Sequence, residues 1–303
     1  MELLETKNRV SVVIVNHNAG SYLSRCLVSC SAQVAEIILV DNASSDDSLG
    51  QAEKTVPAGT RLKVIRNTSN LGFARACNQG ATMAEGDFLL FLNPDSELAP
   101  DAVNSLTRAA NSHTSVGMVG GLLLNADGSE QAGGRRSVPT PWRTFVRAFG
   151  LASLAQRYPR LFSDYLLHLS PLPEAAVEVE AISGACMLVP RHALERVGAM
   201  DEGYFMHCED LDWCMRFRAA GLRILFEPGA RITHHKGRCS VARPFFVEWH
   251  KHLGMVRFYR KFFRNQYPGA LMGMVVSGVW LRFSAVVCYH LLKRSWQRGN
   301  KDA

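Results

Sequence analysis

Carboxylates and amides gather at a few points of this chain where they could do chemistry. Asn93-Pro94-Asp95 directly follows the apolar run Phe88 to Leu92. A carboxylate at the end of a buried strand can hold a hard divalent cation, Mg2+ or Mn2+. Such a cation offsets charge on a leaving diphosphate. The same tripeptide is also an ordinary turn sequence. Cys208-Glu209-Asp210-Leu211-Asp212 sets three carboxylates within four residues at the opening of a helix pattern. Capping and an Asp212–Arg216 pair account for Asp212. Glu209 and Asp210 follow the bulky segment Tyr204-Phe205-Met206. A carboxylate against an apolar wall can be tuned for proton abstraction. Ile232-Thr233-His234-His235 closes a strand pattern. Strand alternation sends the two histidines to opposite faces, so one suits a metal or a diphosphate and the other a plain surface. Asn70 to Asn78 joins a strand to a helix; Gly72 permits close backbone approach, and the helix start with Arg75 could take a diphosphate. Gly-x-Gly-x-x-Gly and the P-loop are both missing, which counts against dehydrogenase and nucleotide-hydrolase chemistry.

A frame is needed to bring such distant residues together. Val10 to Val15 is a β-branched run, the pattern of a strand buried on both faces. Strand patterns recur at 36–40, 62–65 and 87–92, with helix patterns at 21–31, 46–54 and 73–84. This alternation predicts an α/β fold with a mostly parallel sheet covered by helices on both faces. Ligands of such sheets bind beyond the carboxyl ends of the strands. Those ends read Asn16-His17-Asn18, Asp41-Asn42-Ala43-Ser44, Arg66-Asn67 and Asn93-Pro94-Asp95, one polar rim. Residues 128–178 are rich in Gly, Pro, Arg and aromatics and read as a mobile insertion; Arg135, Arg136 and Trp142 in it are candidates to close over donor or acceptor. A strand at 181–189, a helix at 209–220 stopped by Gly221, and short strands at 223–226 and 230–233 follow.

The chain has 303 residues, 47% hydrophobic and 20% charged, enough for one large domain with an appendage. Residues 1–10 hold Glu2, Glu5, Lys7 and Arg9 and no long apolar run, so no secretory signal is expected. Eight cysteines without a Cys-x-x-Cys pair fit free thiols in a reducing compartment. The net charge of +7 is uneven. Residues 243–303 carry 11 Lys/Arg against Glu248 and Asp302, a net of +9. The rest hold 23 basic and 25 acidic residues, a net of −2. The run from Gly269 to Leu292 is apolar, with Arg282 its one formal charge. Basic flanks around an apolar run suit anionic lipid at the inner leaflet, and interfacial helices fit better than a span interrupted by arginine. Nucleic acid is excluded as a partner on the same ground.

In this order the motifs resemble glycosyltransferase family 2 over about Val10 to Ser240. The resemblance implies a GT-A fold for residues 1–240 and a membrane-associating helical region at 241–303. It implies a nucleoside-diphosphate sugar donor held by Val15, Asn16, Asn18, Asp41, Arg75, Asn78 and Asn93, with Asp41 on the nucleobase. Asn93-Pro94-Asp95 stands where the family has Asp-x-Asp, which makes Asp95 and His234 the metal ligands. Glu209 and Asp210 look like the catalytic pair, with Asp210 as base and Glu209 the competing choice. Gly184 to Arg191 is similar to the rhamnosyltransferase branch. That branch implies dTDP-L-rhamnose as donor and a polyprenyl-diphosphate-linked sugar or a saccharide as acceptor, in lipopolysaccharide or other envelope synthesis at the cytoplasmic face of the inner membrane. A family member using a UDP- or GDP-sugar and a non-catalytic nucleotide-binding scaffold are the alternatives.

Overall fold

In the computed structural model, residues 9–158, 161–235, 237 and 243–299 are described. The charged residues at positions 2–7 and the 240/241 boundary, where the family resemblance ends at Ser240, lie outside them. The four predicted N-terminal strands form as β1 (Val10–Asn16), β2 (Glu36–Asp41), β3 (Leu62–Arg66) and β4 (Phe88–Leu92). Between them run α1 (Ser21–Ser31), α2 (Ser48–Thr55) and α3 (Phe73–Met83). Next come β5 (Ser96–Leu98), α4 (Ala102–Ala110) and β6 (Val116–Leu124). The segment from 128 to 178 holds β7 (Arg135–Arg136), α5 (Pro141–Ala148), a 3₁₀ turn at Leu151–Gln156 and β8 (Val177–Glu178). The strand expected at 181–189 is two pieces, β9 (Ala181–Ile182) and β10 (Cys186–Pro190), parted by Ser183-Gly184-Ala185. Then follow α6 (Arg191–Val197), α7 (Glu209–Ala219), β11 (Arg223–His234), α8 (Pro244–Phe263) and α9 (Gly269–Gly299).

The main sheet runs β3-β2-β1-β4-β10-β6-β11-β5, with β8 added beside β11. Its first four strands are parallel, as the alternation predicts. The other half is mixed. β10 returns antiparallel between β4 and β6, and β11 is parallel to β6 but antiparallel to β5. The order of the strands reverses between β1 and β4, so a crevice opens at their carboxyl ends.

Alternation along β1 and β2 divides the core. Val12, Ile14, Ile37 and Leu39 meet Leu23 and Leu27 of α1 and Val103 and Leu106 of α4. Val13, Val15, Ile38 and Val40 meet Ala74 and Cys77 of α3, Trp213 and Phe217 of α7, and Phe258 of α8. Helices therefore cover both faces. Each fully buried leucine of this kind contributes about 2 kcal/mol. α8 also buries His252, Val256, Tyr259 and Phe263, so it packs as part of the domain core. α9 lies against α8 through Trp249–Trp280 and His252–Phe283. Its stretch Gly269–Lys293, mean hydropathy 1.8, is long and apolar enough to cross a membrane, and only 11% of its apolar window is buried. Arg282 turns back onto α8, 3.4 Å from His252 Nε2.

Candidate active site

The rim forms from strand ends in register. Asn16 pairs with Asp41, and Asp41 with Arg66, across β1, β2 and β3. The Asn16 side-chain amide donates to Asp41 Oδ1 at 2.8 Å and to the Ser44 and Ser48 hydroxyls at 3.0 and 2.9 Å. Ser44 Oγ donates to the same Asp41 oxygen at 2.6 Å. Asp41 is thus held rigidly at the crevice floor. Asn16 is fully buried, as is Val15 nearly so, and its amide is spent on that task. It positions Asp41. Asn18, with φ +57°, uses its carboxamide oxygen to accept from Ser45 N at 2.7 Å and Asp46 N at 3.2 Å, ordering the turn after β2.

Two expectations along α3 change. Phe73 N donates to Phe205 O at 2.7 Å, so the helix start is capped by protein and not open to a diphosphate. A Cβ on Gly72, whose φ is +87°, would sit 2.6 Å from that same carbonyl oxygen. Asn78 donates to Met200 O at 2.9 Å and accepts from Met200 N at 3.0 Å. It clamps the loop before α7 and is not a nucleotide ligand. Arg75 is exposed, 3.7 Å from Glu202.

β4 and β11 build the acidic corner. Asp95 is buried, and its Oδ1 lies 3.2 Å from His234 Nε2. Asn93 Nδ2 lies 3.3 Å from that nitrogen. Gln131 donates through Nε2 to His234 O and Asn125 Oδ1, both at 3.0 Å, which turns its oxygen toward His234 Nδ1 at 2.6 Å. Nδ1 therefore carries the proton, and Nε2 presents its lone pair to a carboxylate oxygen. A divalent cation held between them would relieve that opposition. A ligating histidine oriented through its other nitrogen is the usual support of a metal site. Among the described residues no third His, Cys, Asp or Glu joins them. Two protein donors fit Mg2+ or Mn2+, which take further ligands from phosphates and water. His235 turns away to Glu97 at 2.8 Å, as alternation requires.

α7 opens at the same crevice. His207 and Cys208, both with positive φ of 66° and 69°, deliver the chain into it. A Cβ on Gly254 of α8 would sit 2.7 Å from His207 O, so α8 buttresses this entry. Asp210 Oδ2 accepts from Gly184 N at 3.0 Å and pairs with Arg136. Gly184 is next to Ala185, whose carbonyl accepts from Asn93 N at 3.0 Å. Asp210 and the acidic corner are therefore one chain link apart at the junction of β4 and β10. Burial opposes the Arg136 charge, and Asp210 beside it more than compensates, holding the guanidinium above its ordinary value. Glu209 is buried, and its Oε2 has no hydrogen-bond partner among the described residues. Burial, reinforced by the Asp210 charge, pushes its carboxyl up to about 8.

Of the three insertion residues, only Arg136 joins this site. Arg135 is buried, bidentate to Glu130 at 2.8 and 3.0 Å, and donates to the Ser170 and Pro171 carbonyls. It ties the insertion to itself, because a buried guanidinium must spend its donors locally. Trp142 stacks on Phe145 with ring centres 5.5 Å apart, half-exposed, and donates to Leu161 O. Gln131 is a site residue without a motif of its own, four positions before the candidate Arg135.

The model of the family described as glycosyl transferase family 2 matches residues 11–162, half of the chain. This chain belongs to glycosyl transferase family 2. The family 2 enzyme is 29% identical over 247 residues to the N-acetylglucosaminyl-diphospho-decaprenol L-rhamnosyltransferase of Mycobacterium tuberculosis, covering 77% of this chain and 78% of that one. It is 24% identical over 251 residues to rhamnosyltransferase WbbL of Escherichia coli, covering 80% and 89%. Among solved structures, GalNAc-T7 with UDP, GalNAc and Mn2+ superposes with a TM-score of 0.58 at 21% identity. That match covers 76% of this chain but spans only 44% of the GalNAc-T7 chain, and it shows the fold. The predicted family, fold class and enzyme class stand: the protein is a family 2 glycosyltransferase of α/β fold with an apolar C-terminal helix.

Proposed function

We propose that the enzyme transfers L-rhamnose, with inversion, from dTDP-L-rhamnose to a polyprenyl-diphosphate-linked sugar during envelope glycan synthesis. The relatives named as rhamnosyltransferases support the donor, and the one named for N-acetylglucosaminyl-diphospho-decaprenol supports the acceptor. The observation that carries the mechanism is Asp210 at the crevice, fixed by Gly184 N and Arg136 beside the Asn93–Asp95 corner. Asp210 takes the proton of the acceptor hydroxyl. The hydroxyl oxygen attacks the anomeric carbon on the face opposite dTDP, and the sugar–phosphate bond breaks with its electron pair leaving on dTDP. Arg136 and Gly184 N hold Asp210 aimed. Glu209 holds its proton at neutral pH and so adds no second negative charge. Asp41 accepts from the imide N–H of the base. Asp95 and His234, with Asn93 beside them, would hold Mg2+ or Mn2+, which when bound offsets charge on the diphosphate. The enzyme sits peripherally on the cytoplasmic face of the inner membrane through α9.

The test is donor turnover by the purified protein with Mg2+ or Mn2+, comparing dTDP-L-rhamnose with UDP- and GDP-sugars. Turnover confined to dTDP-L-rhamnose is expected. Asp210→Asn should lower kcat by roughly 10³-fold or more, with dTDP affinity nearly unchanged. Preference for another donor overturns the rhamnose assignment, and an active Asp210→Asn overturns the base.

A further inference from the structure

A cavity of about 680 Å3 lies away from the acidic corner, between α8 and the segment leading to α7. One wall is Phe205, its ring stacked 4.3 Å from His250. The other is one face of α8 carrying Leu253, Arg257, Arg260 and Lys261. Residues spaced by three, four and seven share a helix face, so the cations line up in a single strip. Two of them are pinned. Arg257 Nη2 lies 2.9 Å from both oxygens of Asp201, and Lys261 Nζ lies 2.7 Å from Asp201 and 2.6 Å from Asp212. Arg260 is exposed and makes no ion pair among the described residues. Asp212 is shared with Arg216, so the strip keeps an excess of positive charge, and Arg257 keeps N–H donors beyond those spent on Asp201.

The cavity has two kinds of neighbour. Phe205 lies four residues before Glu209 and caps α3, so one wall is continuous with the base-bearing helix. Leu253 stands one turn from Trp249, which packs on Trp280 of the largely exposed apolar helix α9. A ligand here would have an anionic head against Arg260 and Arg257, and an apolar body running over Phe205 and Leu253 toward α9. The volume is that of a small-molecule site, larger than one phosphate needs.

We propose that this cavity binds a prenyl diphosphate, the diphosphate on the Arg257–Arg260 strip and the first prenyl units on Phe205 and Leu253, and so seats the lipid end of the acceptor. The assignment to the acceptor rests on the transferase reading above; the binding of the amphiphilic anion does not. The same phosphate chemistry is offered by the headgroup of an anionic phospholipid, and the test separates the two.

Farnesyl diphosphate is titrated into the full chain in detergent, with dTDP saturating the donor site, and tryptophan fluorescence or calorimetry reads binding. Saturable binding is expected, with farnesol failing to bind and inorganic diphosphate binding more weakly. Arg260→Ala should weaken farnesyl diphosphate about tenfold, and Arg260→Lys should restore part of the loss. Unaltered dTDP affinity confirms that the variants are folded. An unchanged Kd in Arg260→Ala overturns the site. Equal displacement by phosphatidylglycerol micelles overturns the acceptor assignment in favour of a bilayer headgroup. Because the readout needs no turnover, a wrong sugar donor leaves this result intact.

Discussion

Glu209 and Asp210 are adjacent in sequence and opposite in surroundings. Asp210 faces a guanidinium and a backbone N–H, whereas Glu209 is buried with an unpartnered oxygen. The sequence left both open as base, because a pair of carboxylates at a helix start carries no sign of which one is solvated. Their surroundings separate them: Asp210 is paired with Arg136, and burial beside Asp210 pushes the Glu209 carboxyl up to about 8. Between the ordinary carboxylate range and about 8, the native state therefore keeps a proton that the unfolded chain releases. Stability contributed by that proton is present below the unfolded value and is lost as pH rises toward the folded one. Glu209→Gln should remove this loss. The variant's advantage should grow between pH 5 and pH 8, at most about 1.4 kcal/mol per unit. Denaturant unfolding at both pH values checks it, and parallel pH slopes for variant and parent would count against a proton held on Glu209. Asp41 was legible from its place at a strand end, but Asn16 was not: a buried amide that orients a ligand and one that is the ligand look alike in sequence.

At the scale of elements, the four parallel strands were legible because β-branched and apolar runs of five to seven residues stand between polar turns. β6 was not, although all nine of its residues are buried. Gly117, Gly120 and Gly121 dilute its pattern, and they are there for packing: a Cβ on Gly120 would lie 2.8 Å from Ile182. The antiparallel return of β10 was equally hidden, since strand direction follows from the path of the insertion and not from local residues. The joint between α3 and the α7 entry also needs three dimensions. Gly72 was singled out for close approach to a ligand, and the approach is to Phe205. Gly72→Ala meets both a left-handed φ and a backbone oxygen, a cost of at least about 2 kcal/mol. Its melting temperature should fall by several degrees, and turnover should fall with it because the displaced segment leads to Asp210. A variant that melts like the parent would mean that the segment shifts freely.

For the whole molecule, the uneven charge and the apolar tail were the legible signs, and the structure shows how a mid-helix arginine fits with them. Arg282, though exposed, reaches back to His252 of α8, and Met274, Leu281, Tyr289, Leu291 and Leu292 are exposed on α9. Among its described residues α9 adds only Met272 and Val279 to the buried core, whereas α8 adds a row of aromatics. A chain ended after Tyr267 should therefore keep its far-ultraviolet spectrum and dTDP binding while no longer sedimenting with phosphatidylglycerol vesicles. Equal sedimentation of the shortened and full chains would place the lipid contact elsewhere. The acidic corner carries a last consequence, for the order of assembly. β1 to β4 close through local strand–helix–strand loops, but Asp95 meets His234 across 139 residues of chain, by way of β5 pairing with β11. Contacts so far apart form late, after the loop-closure entropy has been met by everything between them. During synthesis the nucleotide-facing half can then fold first and the phosphate-facing corner last. An unfinished chain would have the crevice floor around Asp41 without the Asp95–His234 corner that completes it.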